Sequence, residues 1–342
     1  MNDTPQISIV AVGRNDDYGG DFRSRLQAFA NWNVKQLTDY NISSELIFVN
    51  YNPIDGIPIE HFIDWPKSNA VVSIRVITVP NLEHVKVLEA NKVKDLPLLE
   101  YVAKNVGIRR AKGKFILSMN PDILIDEEIV KQFSQLSEQN YYRANRIDFA
   151  KTEQLLADES LYEQLRENAT TIWLKGSHFN IRGFSYLKYR WYRLLNRTAN
   201  AWKRNTIHLE WVLKRINITT YYHNWQFKYH SNACGDFMLM SRDSWRILKG
   251  HKESSFIALH VDALMVIQAV MHGLKEHVFH HPIYHKQHKR RFDAHNRLTE
   301  DQVKVYHQYN EDVELMLNSG NHIIFNEDSW GLGSSALPEQ YF

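Results

Sequence analysis

Between Ile7 and Asp122, short apolar runs alternate with longer amphipathic stretches. Ile7-Ser8-Ile9-Val10-Ala11-Val12 is short and β-branched, so it reads as a buried strand rather than a helix. It ends in the polar, glycine-punctuated loop 13–20. Phe22, Leu26, Phe29, Ala30 and Leu37 then recur near helical spacing and predict a helix from about Asp21. Leu46-Ile47-Phe48-Val49 predicts a second strand, closed by Asn50-Tyr51-Asn52-Pro53, and Val71 to Val79 a third, stopped by Pro80. Leu98 to Arg110 reads as helix, with Gly113 after its end. Phe115-Ile116-Leu117 reads as a fourth strand and runs into Ser118-Met119-Asn120-Pro121-Asp122. This alternation predicts an α/β protein with a mostly parallel sheet flanked by helices. Ligands of such sheets lie beyond the carboxyl ends of the strands, where loops 13–20, 50–53 and 118–122 fall.

From Lys151 to Tyr229 the texture turns helical in propensity, basic, and rich in Trp and Tyr. Regular α/β patterning resumes near Asn232. Gly235 to Met240 reads as a strand and Asp262 to His272 as a buried helix, because Leu264, Met265, Val266, Ile267, Val270 and Met271 cover most of its circumference. Beyond Leu298 a helix begins at Thr299, and the chain becomes Gly/Ser-rich around Gly331 to Ser335.

At 342 residues the chain suits two ordinary domains or one large one. A single cysteine, Cys234, excludes an internal disulfide framework and a multi-cysteine zinc site. Lys plus Arg number 41 against 39 Asp plus Glu, a balance unlike that of a nucleic-acid-coating protein. No window approaches the ~18 apolar residues of a membrane span, and Met1 to Gln6 does not read as a signal peptide. The expected location is cytoplasmic, either free or held peripherally at the inner face of the membrane. The surface for such a contact is the basic aromatic run Tyr186 to Leu195, which otherwise reads as an acceptor platform or a solvated helix.

Loop 13–20 joins a strand to a helix N-terminus, which favours an anion. Its glycines do not fit the phosphate loop or the dinucleotide fingerprint. Arg14 can contact phosphate, whereas Asp16 and Asp17 suit a base, a ribose or a metal; the alternative is a plain polar turn. Asp122, just past a strand, can hold Mg2+ or Mn2+ against a diphosphate, or can cap the helix that starts near Asp126.

The segment Asn105-Val106-Gly107-Ile108-Arg109-Arg110-Ala111-Lys112-Gly113 and the strand running to Asn120-Pro121-Asp122 resemble the central signature of family-2-like glycosyltransferases of the GT-A fold. Asn120 departs from that pattern, standing where the family has the first Asp of its Asp-x-Asp motif. His260-Val261-Asp262 followed by Gly273 resembles the family's acceptor-side segment, with Val261 in place of a Glu. The likeness covers roughly residues 7–125 and 232–288.

The resemblance implies a GT-A, Rossmann-like sheet with a helical basic and aromatic insertion and a C-terminal helical tail. Residues 1–150 would form the nucleotide-sugar-binding half and 151–230 an insertion for acceptor or membrane contact. Residues 231–298 would form the acceptor-binding, catalytic half, and 299–342 a C-terminal helix and tail. It implies Asp262 as general base, with Asp236 binding the acceptor or sharing that role. It implies a divalent metal, Mn2+ or Mg2+, on Asp122, with His285 and then His288 as further ligands. Donor contacts would come from Arg14, Asn15, Asp17, Asn50, Asn52, Asn105, Arg109, Asn120, Arg143, Arg146 and Asp148. For Arg143, Arg146 and Asp148 a charged edge strand is the alternative.

The implied activity is transfer of a hexose from a nucleoside-diphosphate sugar, most simply a UDP-sugar, to a glycan or lipid-linked acceptor hydroxyl, as in surface polysaccharide biosynthesis. An Asp base implies inversion, and retention on the same fold stays open. Two other readings compete. A metal-dependent phosphoesterase or nucleotidyltransferase would use a similar Asp/His set, although the missing carboxylate at 120 disfavours a two-metal site. A non-catalytic sugar-nucleotide or glycan-binding module would account for Asn120 and Val261 as traces of a decayed site.

Overall fold

The computed structural model describes residues 4–54, 56–92, 96–149, 168–174, 177–180, 229–231, 233–254, 258–288 and 300–342. The protein is mixed α/β, with a large, mostly parallel sheet flanked by helices. The first elements are β1 (Ile7–Gly13), α1 (Phe22–Asp39), β2 (Ser44–Tyr51), α2 (Ile59–Phe62), β3 (Val72–Val79), α3 (Asn81–Ala90), α4 (Glu100–Arg110) and β4 (Phe115–Met119). Strands β4, β1, β2 and β3 are neighbours in that order and run parallel. Every residue of β1 and β2 is buried, as expected of strands covered on both faces. Because side chains alternate along a strand, Ile9 and Ala11 enter a core with Phe22, Leu26 and Phe29 of α1. Val10 and Val12 enter the opposite core with Val102 and Val106 of α4.

Beyond β4 the sheet continues through β10 (Phe237–Ser241), antiparallel to β4, then β6 (Asn140–Arg143) and β11 (Lys275–Val278). At the opposite edge, β13 (Glu339–Tyr341) pairs antiparallel with β3. A second sheet is ordered β5 (Ile123–Ile125), β12 (Ile283–Lys286), β7 (Arg146–Phe149), β8 (Ala169–Leu174) and β9 (Ser177–Asn180). The remaining helices are α5 (Glu127–Val130), α6 (Arg242–Leu248), α7 (Val261–Met271) and α8 (Glu300–Ser319). This is the α/β class, with a mostly parallel sheet flanked by helices, that the sequence predicts. No described helix is long and apolar enough to cross a membrane.

Two features differ from the sequence reading. Residues 169–174 and 177–180 form the antiparallel strands β8 and β9 rather than helix, in keeping with the extended preference of Thr170, Thr171, Ile172 and Trp173. Tyr141 to Asp148 is not one edge strand, since β6 and β7 belong to different sheets. Most of the 151–230 insertion, including the basic aromatic run at 186–195, lies outside the described residues.

The glycines of the 105–113 signature are sites of close approach. A methyl on Gly107 would lie 2.4 Å from Cγ1 of Val10 and 3.1 Å from Cγ2 of Val49. A methyl on Gly113 would lie 2.5 Å from the Ser8 backbone nitrogen. Gly107→Ala therefore has to push α4 off the sheet, and overpacking of this kind costs about 1–3 kcal/mol. A denaturant titration should show the midpoint falling at constant slope; an unchanged midpoint would mean that α4 is not held at this distance.

Candidate functional site

The site forms where the two sheets meet. After β4, Asn120-Pro121-Asp122 leads straight into β5, and β5 pairs antiparallel with β12 so that Ile123 stands opposite His285. This pairing carries Asp122 to the histidines. Oδ2 of Asp122 lies 3.2 Å from Nε2 of His288 and 3.7 Å from Nε2 of His285. One ligand atom from each of Asp122, His285 and His288 fits within 4.8 Å of the others. Asp122 is 7% exposed, and its Oδ1 is buried without a hydrogen-bond partner.

Arg25 of α1 donates from Nη1 to Oδ2 of Asp122 at 2.7 Å. It also holds Asp21 through Nε at 2.9 Å and donates to the Tyr18 carbonyl. Lys286 reaches the same Asp21 at 3.3 Å. Loop 13–20 is thereby closed onto the cluster, with the Tyr18 ring 5.5 Å from that of His288. Burial by itself would raise the Asp122 carboxyl, but His285, His288 and Arg25 outweigh it and hold the group well below the usual carboxylate range. A charged carboxylate with one unpartnered oxygen beside two imidazoles is a chemically sound donor set for a divalent first-row metal. The residues present therefore fit the expected cation.

A continuous run of polar contacts leads from this cluster to Asp262. Nδ1 of His285 lies 3.0 Å from Oδ1 of Asp148. Asp148 pairs with Arg146 at 2.8 Å and accepts from Nε1 of Trp173 at 2.8 Å. Burial would raise the Asp148 carboxyl; His285, Arg146 and Trp173 lower it on balance. Arg146 also pairs with Asp236, whose Oδ1 accepts from Nδ2 of Asn120 at 2.8 Å. Oδ1 of Asn120 accepts from Nζ of Lys104 at 2.9 Å. Lys104 donates as well to the Gly235 carbonyl at 3.0 Å and pairs with Glu100 at 2.9 Å. The Gly235 N–H donates to Oδ2 of Asp262 at 2.6 Å, and Oδ1 of Asp262 accepts from the Ala263 N–H at 2.8 Å in the first turn of α7.

The other candidates sit in two groups. At the ends of β1 and β2, Asn15 clamps the following loop by donating to the carbonyls of Ile54 and Ile57 at 3.0 and 2.7 Å. Arg14 donates to the Asn52 carbonyl at 2.7 Å, and Asp17 accepts from the Phe22 N–H at 3.1 Å. Asn52 adopts a positive φ of 47° and bonds the Pro97 carbonyl at 2.9 Å. Asn50 is buried there, and its Oδ1 has no hydrogen-bond partner.

The second group is held by the protein itself. Asn105 binds the His251 carbonyl at 2.7 Å and Glu253 at 2.8 Å, while Arg109 donates to the carbonyls of Asp328 and Trp330 at 2.8 and 3.0 Å. Arg143, 0% exposed, donates to the carbonyls of His230 and Cys234 at 3.0 and 2.9 Å.

Arg25, Lys104, Asp21 and Trp173 belong to the network without having been singled out by the sequence. Arg25 and Lys104 carried one weak signal, each being a cation flanked by core positions of its helix, Leu26 and Ala103.

No family model matches the chain, and no curated protein does. Among solved structures the chain is similar to the crystal structure of GalNAc-T7 with UDP, GalNAc and Mn2+. The identity is 12% and the TM-score 0.45, over 94% of this chain and 53% of the other. The chain thus spans about half the length of that protein.

Proposed function

We propose that this protein is a metal-dependent glycosyltransferase that moves a sugar from a nucleoside-diphosphate donor to an acceptor hydroxyl. The observation that carries the reading is the buried Asp122, with an unpartnered Oδ1, joined to His285 and His288 at the carboxyl end of β4. Ligands of parallel sheets bind at such strand ends. A divalent cation held by these three residues supplies positive charge against the diphosphate. The chain's own groups do the rest. Asn50, with its buried unpartnered amide oxygen at the end of β2, accepts a hydrogen bond from the nucleobase, and uracil offers a matching N–H. Asp262 takes the proton from the acceptor hydroxyl as that oxygen attacks the anomeric carbon and the bond from that carbon to the diphosphate breaks, releasing the nucleoside diphosphate and inverting the centre. Each of its oxygens accepts one backbone N–H, which fixes the carboxylate and leaves lone pairs for the proton. Asp236 borders the same turn and helps to place the acceptor. A glycan or lipid-linked sugar is the acceptor class.

The test is incubation with a panel of nucleotide sugars and Mn2+, with free nucleoside diphosphate as the readout. Slow Mn2+-dependent hydrolysis of one donor, a UDP-sugar first, is the expected result. Release of sugar phosphate instead would assign a phosphoesterase or nucleotidyltransferase. No heat of binding with any donor would leave a non-catalytic module.

A further inference from the structure

His285 and Asp148 occupy the same register position of the parallel pair β12–β7. Both side chains are buried, and Nδ1 of the imidazole lies 3.0 Å from Oδ1 of the carboxylate. An ionised carboxylate only accepts, so the proton of a neutral His285 belongs on Nδ1 and the lone pair on Nε2. Nε2 is the nitrogen that faces Asp122, at 3.7 Å from Oδ2. Asp148 is itself gripped on both oxygens. Arg146 meets Oδ1 at 2.8 Å through Nε and Oδ2 at 3.3 Å through Nη2. Trp173 Nε1 donates to Oδ2 at 2.8 Å, and its ring lies 4.6 Å below the guanidinium. Arg146 cannot swing away easily, because its other arm pairs with the buried Asp236.

The geometry points to Asp148 as a positioning residue rather than a contact to the donor: it fixes the tautomer and ring plane of His285 so that Nε2 is presented to a divalent cation beside Asp122. Arg146 and Trp173 keep Asp148 in place for this task. The inference rests on the metal-dependent reading above. Without Asp148, the two neutral tautomers compete, and the one with hydrogen on Nε2 cannot ligate. Loss of an outer partner of this kind costs about 10–100-fold in metal affinity.

Two readouts on the full chain test this, neither of which needs turnover. Long-range 1H–15N spectra of the metal-free protein report which nitrogen of His285 carries the proton. Nδ1–H is expected in the wild type, and a tautomer mixture in Asp148→Asn. Titration of Mn2+, followed by the EPR signal of the free ion, should give a Kd about 10–100-fold weaker in Asp148→Asn. Trp173→Phe, which keeps the carboxylate but removes one of its donors, should weaken binding by a smaller factor. A wild-type His285 protonated on Nε2 overturns the proposal. So does a folded Asp148→Asn protein that binds Mn2+ as the wild type does. If Asp148→Asn fails to fold, the wild-type tautomer and the Trp173→Phe titration decide by the same criteria. A wild type that binds no Mn2+ overturns the metal-dependent reading and this inference with it, whereas equal binding by wild type and variants removes the inference alone.

Discussion

Asp122→Ala is expected to abolish Mn2+-dependent nucleotide binding. The carboxylate is the only anionic member of the cluster with His285 and His288, so its loss leaves two imidazoles next to the Arg25 guanidinium. That site repels a dication instead of holding it. Calorimetry of UDP with and without Mn2+ should show a metal-dependent component in the wild type and none in the variant. The fold will also register the change, because Arg25 and Asp122 form a buried pair at 2.7 Å with side chains 1% and 6% exposed. Stranding one partner of such a pair can cost ~3–5 kcal/mol. Arg25 keeps Asp21 and the Tyr18 carbonyl, so the expected loss is nearer the ~1–3 kcal/mol of a single unmade hydrogen bond. Asp122→Asn separates the two effects. It retains an oxygen for Arg25 and should recover most of the stability, yet it lacks the charge and should bind Mn2+ little better than alanine does. Metal-dependent UDP binding that survives in Asp122→Ala would remove Asp122 from the site.

The strands and helices of the first half were legible because each apolar run is short, β-branched and followed by a polar stop. Ile7 to Val12 and Leu46 to Val49 behave as that pattern requires, buried along their whole length. What brings the site together was not legible. Ile123–Ile125 is too short to announce itself as a strand, yet its pairing with β12 is what sets Asp122 beside His285. The resemblance grouped Asp122, His285 and His288 as ligands of one cation; the residues by themselves did not, because the long-range pairing that gathers them leaves no local trace.

Arg25 shows the same limit from another side. It lies beside the apolar stripe of α1 and looks like a solvated charge, but Asp21 and Asp122 meet it in the interior. The 105–113 signature is informative in a different way. Gly107 and Gly113 permit close packing, and Asn105 ties α4 to the turn at His251 and Glu253. In this chain the signature therefore records how α4 docks on the sheet. The Gly/Ser-rich tail is likewise more than a loose end. Arg109 and Arg110 donate to the carbonyls of Asp328, Trp330, Gly331, Leu332 and Ser335, and β13 closes the sheet edge beside β3. Backbone carbonyls have no sequence signature, so no reading of residue types could have found this strap.

Asp262→Asn should cut turnover at least ~100-fold, the usual scale of general acid–base catalysis, while the donor Kd stays unchanged. The two halves of that expectation come from different places in the fold. Donor binding is assigned to Asp122, its histidines and Asn50, whereas Asp262 is held by the N–H groups of Gly235 and Ala263. Proton removal is assigned to a carboxylate held at the start of α7, behind His260 in a left-handed conformation with φ of 61°. An asparagine there keeps one oxygen for one of the two N–H groups of Gly235 and Ala263, and leaves the other unmade. That should cost ~1–3 kcal/mol of stability, less than the ~5–15 kcal/mol that holds a protein folded, so loss of turnover will report basicity. Single-turnover rates and donor titration on the same preparation measure both halves. Turnover near the wild-type value would transfer the base role to Asp236. That carboxylate is bound by Arg146 on one oxygen and by Asn120 on the other. The Arg146 guanidinium holds Asp236 in a charge-assisted pair, whereas Asp262 is held by backbone N–H groups, so Asp262 is the one to test first.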